Sequence, residues 1–140
     1  MGMTWICPEC QKRFKNKNQI HSCARVDLED HFVNKSVEVR ATFDELMRGL
    51  EGLADITLNP VKTSIQVRAS ATFLSVKPKM HHVEIEFQMG DEVKEHPVYR
   101  TVRISKNRVL HFAILESARD VDVQVLDWLR QAYELSSRRS

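Results

Sequence analysis

Three cysteines and two histidines in the first 31 residues carry the chemistry most clearly written in this chain. Cys7-Pro8-Glu9-Cys10 places two thiols across a two-residue gap, and His21, Cys23 and His31 follow. A gap of two lets both sulfurs reach one ion from a tight turn, where Pro8 is at home. Trp5, Phe14 and Ile20 supply apolar positions on either side, and twelve residues separate Cys10 from Cys23. That is the spacing of a two-Cys, two-His zinc finger, with Cys23 at the place of the first histidine. Three ligands, Cys7, Cys10 and Cys23, follow from the pattern. The fourth is a choice between His31 and His21. A classical finger would put it where Asp27 or Leu28 stands, and neither suits a structural zinc site. Asp27 and Asp30 read as a capping pair, which sets His31 in the first turn of the next helix. His21 would serve only in extended chain, because on a helix residues 21 and 23 point about 200° apart. With four protein ligands the Zn²⁺ would be structural rather than catalytic. The plainer alternative is a pair of free thiols in a basic arm.

Charge is distributed unevenly around this segment. Lys12, Arg13, Lys15, Lys17 and Arg25 lie between Cys10 and Val26 with no acid among them. Setting those five apart from the 21 basic residues leaves 16 against 19 acidic ones, so the segment carries +5 and the remainder −3. Such asymmetry points to an acidic partner, and these five residues are the candidate nucleic-acid contacts. Five phosphate contacts would give a log–log salt slope of roughly −4 to −5 on duplex DNA. A short metal-nucleated segment cannot bury enough apolar area to fold alone, so zinc would supply the missing free energy. An odd number of cysteines, two of them closely paired, speaks for metal in a reducing cytoplasm rather than a disulfide framework. No apolar run reaches membrane-spanning length, and the first residues lack the features of a signal peptide.

At this point the chain resembles a known family. W-x-C-P-x-C-x-x-R-F, N-Q-x-H-S-C and L-E-D-H-F look like the start of a bacterial domain-of-unknown-function family. Further marks are Lys62-Thr63-x-Ile65, Pro78-Lys79, His111-Phe112 and Trp128-Leu129-Arg130-x-Ala132-Tyr133, so the likeness runs from Trp5 to Tyr133. In that family the arginine more often directly follows a glycine after the second cysteine, where this chain has Gln11-Lys12-Arg13. The resemblance implies an α+β body and brings no established activity. Related bodies attached to nuclease-like chains incline the expectation toward nucleic acid.

The elements that must hold such a site are readable from periodicity. From Ser36 to Leu53, Val39, Phe43, Leu46, Met47, Leu50 and Leu53 recur at helical steps, with Ser36 as the cap. Between Ile56 and Leu115 the period shifts to two. Ile65/Val67, Leu74/Val76 and Val83/Ile85/Phe87 alternate with polar residues, and runs at Val98–Ile104 and Val109–Leu115 follow. No helix long enough for a parallel crossover separates these runs, which predicts an antiparallel meander of five to six strands. Its polar face would carry Gln66, Arg68, His82, Glu84, Glu86, Tyr99, Thr101 and Arg103. A second amphipathic helix spans Asp120–Leu135, capped by Ser117 or Asp120. The expected fold is α+β: a zinc-finger-like head over residues 1–31, then a two-layer body over 32–140 with both helices on one face of the sheet.

Other constellations are weaker. Glu84 and Glu86 share a strand face, and Glu92-Val93-Lys94 echoes a nuclease E-x-K, but the partner acid is missing and a solvated charge face explains them. His81-His82 point to opposite faces of the chain. His111, between Leu110 and Phe112, reads more readily as a satisfied core histidine than as a base. Lys62 and Lys79, with His111, form a candidate anion pocket if their loops meet. There is no phosphate-cradling glycine loop and no nucleophilic triad, so an enzyme is the less favoured class. The expected function is thus zinc-containing binding of nucleic acid through the basic head. The alternative is small-ligand or protein-partner binding by the body, a homodimer included, with zinc purely structural. Loss of residues 1–31 would abolish the first activity and spare the second.

Overall fold

The computed structural model describes residues 28–137 and, nearer the N-terminus, the backbone of two short strands. Those strands, β1 (Trp5–Ile6) and β2 (Arg13–Phe14), pair antiparallel with Trp5 opposite Phe14 and Ile6 opposite Arg13. A 3-10 helix follows at Leu28–Phe32. Asn34, at φ 60°, then takes a left-handed turn that an asparagine tolerates better than most residues, and α1 begins (Val37–Gly49). Ser36 occupies the cap position of α1, but its hydroxyl makes no capping bond.

Six strands form the main sheet: β3 (Thr57–Pro60), β4 (Ile65–Arg68), β5 (Thr72–Pro78), β6 (Val83–Met89), β7 (Val98–Ser105) and β8 (Arg108–Leu115). Every hydrogen-bonded pair is antiparallel, and the strands lie in the order β3-β4-β5-β6-β8-β7. The predicted antiparallel pairing and two-helix α+β body are therefore present. The simple meander is not, because β8 inserts between β6 and β7. Residues 90–97 leave β6 at Met89, opposite Val109, and enter β7 at Val98, opposite Ala113. They run back along the sheet by four residues, about 13 Å at strand rise, and pass beyond β8 without a helix. Composition explains the swap. β8 is apolar on both faces and suits an interior position, whereas β7, with Arg100, Thr101, Arg103 and Ser105, suits an edge.

One face of the sheet makes the core. Ile65, Val67, Leu74, Val76, Val83, Ile85, Phe87, Ala113 and Leu115 join Val39, Phe43 and Leu46 of α1 and Val125, Trp128 and Leu129 of α2 (Val123–Ser136) in one buried cluster. Phe87 stacks between His111 and Trp128, at ring-centroid distances of 5.2 and 6.2 Å. Where α1 ends, a Cβ at Gly49 would stand 2.3 Å from Leu126 Cδ2, so a larger residue there would have to push the Leu126 side chain aside. The start of α2 lies later than the sequence predicts. Asp122 is its cap, accepting from Val125 N at 2.9 Å, while Ser117 precedes a separate 3-10 turn and Asp120 accepts from Glu116 N.

The opposite face carries Gln66, Glu84 and Glu86, as expected. Thr101 instead stands across from His111 and donates to Glu92 of the crossover at 2.5 Å. The outer face is also less polar than predicted, because Leu110, Phe112 and Ile114 lie half-buried there beside Tyr99 and Arg100. Among the described residues no helix is long and apolar enough to cross a membrane.

Candidate functional site

Three chain reversals meet at the end of the sheet where β5 finishes and β6 begins. The β3–β4 turn closes through Val61 N donating to Ser64 O at 2.8 Å. The β5–β6 turn closes through Lys79 N donating to His82 O, also at 2.8 Å. The step from the 3-10 helix into α1 is fastened to the second of these by Ser36 N donating to Met80 O at 2.9 Å. Phe32 and Phe43 (centroids 5.1 Å apart), with the Arg40 guanidinium 4.8 Å above the Phe32 ring, pack the 3-10 helix onto α1. Arg40 in turn holds Glu29 with both carboxylate oxygens, at 2.7 and 2.8 Å.

His31 sits in this junction with 5% of its surface exposed. Its Nε2 is buried and has no hydrogen-bond partner among the described residues, and the ring lies near the Val61 backbone. Burial, the larger cause, and the nearby Lys35 push its pKa below the ordinary histidine value, against the Val61 backbone and Asp30. A buried polar atom left unpaired costs about 1–3 kcal/mol unless something satisfies it.

Beside His31 are two ammonium groups. Lys35 Nζ donates to the His31 carbonyl, and Lys79 follows Pro78 at the start of the turn whose Met80 carbonyl grips Ser36. Desolvation first and then the charge of Lys79 lower the Lys35 pKa. Neither lysine has an ion-pair partner among the described residues, in contrast to Arg40, Arg48, Lys77, Lys94 and Arg130. Lys62 lies exposed in the β3–β4 turn at the same end of the sheet.

Of the residues singled out from sequence, His31, Lys62 and Lys79 thus share one end of the body. His111 does not join them. It lies in the core on β8, four residues from Leu115, with no exposed surface. Its Nε2 accepts from Val93 N at 3.0 Å and its Nδ1 donates to Val109 O at 2.9 Å, so it fastens the crossover to the sheet. A groove of about 410 Å³ lies at the other end of β5 and β6, with Phe73, Glu86, Arg108 and Leu135 among its walls, and none of the three lines it. Cys7, Cys10, Cys23, the rival ligand His21, and Lys12, Lys15, Lys17 and Arg25 lie outside the described residues. So does the Arg13 side chain. Lys35 was not singled out from sequence, and its only signal is its place immediately before the Ser36 cap.

A family model for a domain of unknown function, DUF5655, matches residues 28–136. The chain belongs to the DUF5655 family. The match takes in His31, Lys35, Lys62 and Lys79 and begins after the three cysteines. No curated protein and no solved structure matches the chain.

Proposed function

We propose that this DUF5655 protein is a zinc-containing binding protein that engages nucleic acid through the basic segment after Cys10. The observation that carries the proposal is His31, whose buried Nε2 has no partner among the described residues. An unpartnered, buried imidazole nitrogen is a lone pair that a metal ion could take. Cys7, Cys10 and Cys23 would complete a four-ligand set, and the antiparallel pairing of β1 with β2 brackets the Cys7–Cys10 stretch, whose spacing suits two ligands of one ion. Zinc bound there would fasten the N-terminal segment to the body and contribute folding free energy. His31 is favoured over His21 because it sits on a packed element whose orientation the body fixes.

Within this reading, Lys12, Arg13, Lys15, Lys17 and Arg25 contact phosphates, and the body supplies a rigid base. Elemental analysis of the purified full chain is expected to give one zinc per chain. His31→Ala is expected to weaken zinc retention against a competing chelator by about 100-fold or more, at or beyond the upper end for losing an outer partner. A metal-free protein, or a His31→Ala variant that holds zinc as firmly as the unaltered chain, overturns the assignment. The 410 Å³ groove favours a second reading, a small ligand held by the body where β5, β6 and β8 meet the end of α2, since its volume falls within the range of ligand sites. Ligand-dependent chemical-shift changes confined to Phe73, Glu86 and Arg108 would support it over the first.

A further inference from the structure

We infer that Lys35 and Lys79 form a phosphate seat on the body, taking a phosphodiester of the nucleic-acid backbone in addition to the contacts of the N-terminal segment. The inference rests on the proposed nucleic-acid reading and places part of the interface on a different element.

The geometry is set by the backbone. Ser36 N donates to Met80 O at 2.9 Å, so the residues just before each of these, Lys35 and Lys79, flank one hydrogen bond. Two like charges held this way repel each other. A carboxylate between them would relieve it, yet no described acid forms an ion pair with either. Lys35 cannot readily swing away, because its ammonium also donates to the His31 carbonyl. A phosphate group brings negative charge and several acceptor oxygens, and so meets both ammoniums at once. Lys62, exposed in the β3–β4 turn, extends the positive end in the direction of the sheet edge. An extended polyanion with regularly spaced charges fits such a series better than a single small anion does.

The test is a fluorescence-anisotropy titration of a labelled DNA duplex with the full chain over a range of salt concentrations. Five contacts from the N-terminal segment give a slope of about −4 to −5, and two more from the body make it about −6, at roughly 0.9 per contact. Lys79→Met and Lys35→Met are each expected to reduce the slope by about 0.9, and the double variant by about 1.8. Lys79→Met removes no hydrogen bond described for the fold, so it reports on the seat even if Lys35→Met perturbs the junction. Lys79→Arg is expected to keep the slope. Binding by the unaltered chain with an unchanged slope in Lys79→Met overturns the seat alone. No salt-dependent binding by the unaltered chain overturns the nucleic-acid reading and the seat with it.

Discussion

His111 and His31 are both buried imidazoles, and their hydrogen bonds separate them. His111 has both nitrogens engaged by backbone, at Val93 and Val109, and stacks on Phe87 at an interplanar angle of 6°. Protonation would turn its accepting nitrogen into a second donor facing the Val93 N–H. Burial is the main cause holding its pKa below 6.5, with the Val109 and Phe87 backbone and the charge of Glu92 acting in the other direction. The unfolded chain therefore binds the extra proton first as pH falls. The stability His111 confers is whole above about pH 6.5 and is lost as pH drops through the depressed folded value. Urea-denaturation curves at pH 7.5 and at pH 5.5 are expected to show this fall. His111→Phe is expected to keep the stack, lose about 1–3 kcal/mol at pH 7.5 through the unpaired Val93 N–H, and flatten the pH dependence. An unchanged pH dependence would remove His111 from the account. From sequence, His111 was readable as a core histidine because apolar residues flank it. His31 was readable only as a possible ligand in a spacing pattern, since an unpaired Nε2 depends on what Val61 and α1 bring near it.

At the level of elements, the amphipathic stripes located both helices, and alternation located each of the five expected strands. Boundaries and order were harder. The start of α2 was misplaced because Ser117, Asp120 and Asp122 all have capping side chains, and only the intervening 3-10 turn selects among them. Asp122→Ala is expected to destabilise the fold by about 1 kcal/mol, measurable as a lower thermal midpoint, whereas Ser117→Ala should change it little. The strand order was hidden for a similar reason. Nothing in residues 90–97 resembles a crossover, and the clue lay instead in β8, where Leu110, Phe112 and Ile114 occupy positions that a solvated face would fill with polar residues. A strand apolar on both faces belongs inside a sheet.

Across the whole molecule, the basic end is built from segments far apart in sequence: residues 31–36, the turn after β3 and the turn after β5. Their meeting follows from sheet register and from the Ser36–Met80 bond, so Lys35 could not be singled out by any local pattern. Lys62 and Lys79 are readable from sequence as an anion pocket only if their loops meet, and the fold is needed to place them. The same register ranks the strands by protection. Amide exchange is expected to be slowest in β6 and β8, which are bonded on both sides and face the core, and faster along β3 and β7, with one edge open; fast exchange in β8 would contradict the strand order. The position of β8 also bears on biosynthesis. While residues 108–115 are still inside the ribosome, β6 lacks one neighbour and β7 lacks its only one. A nascent chain must therefore carry two unmated strand edges between the emergence of β7 and that of β8, and the body closes late, when its penultimate long element emerges.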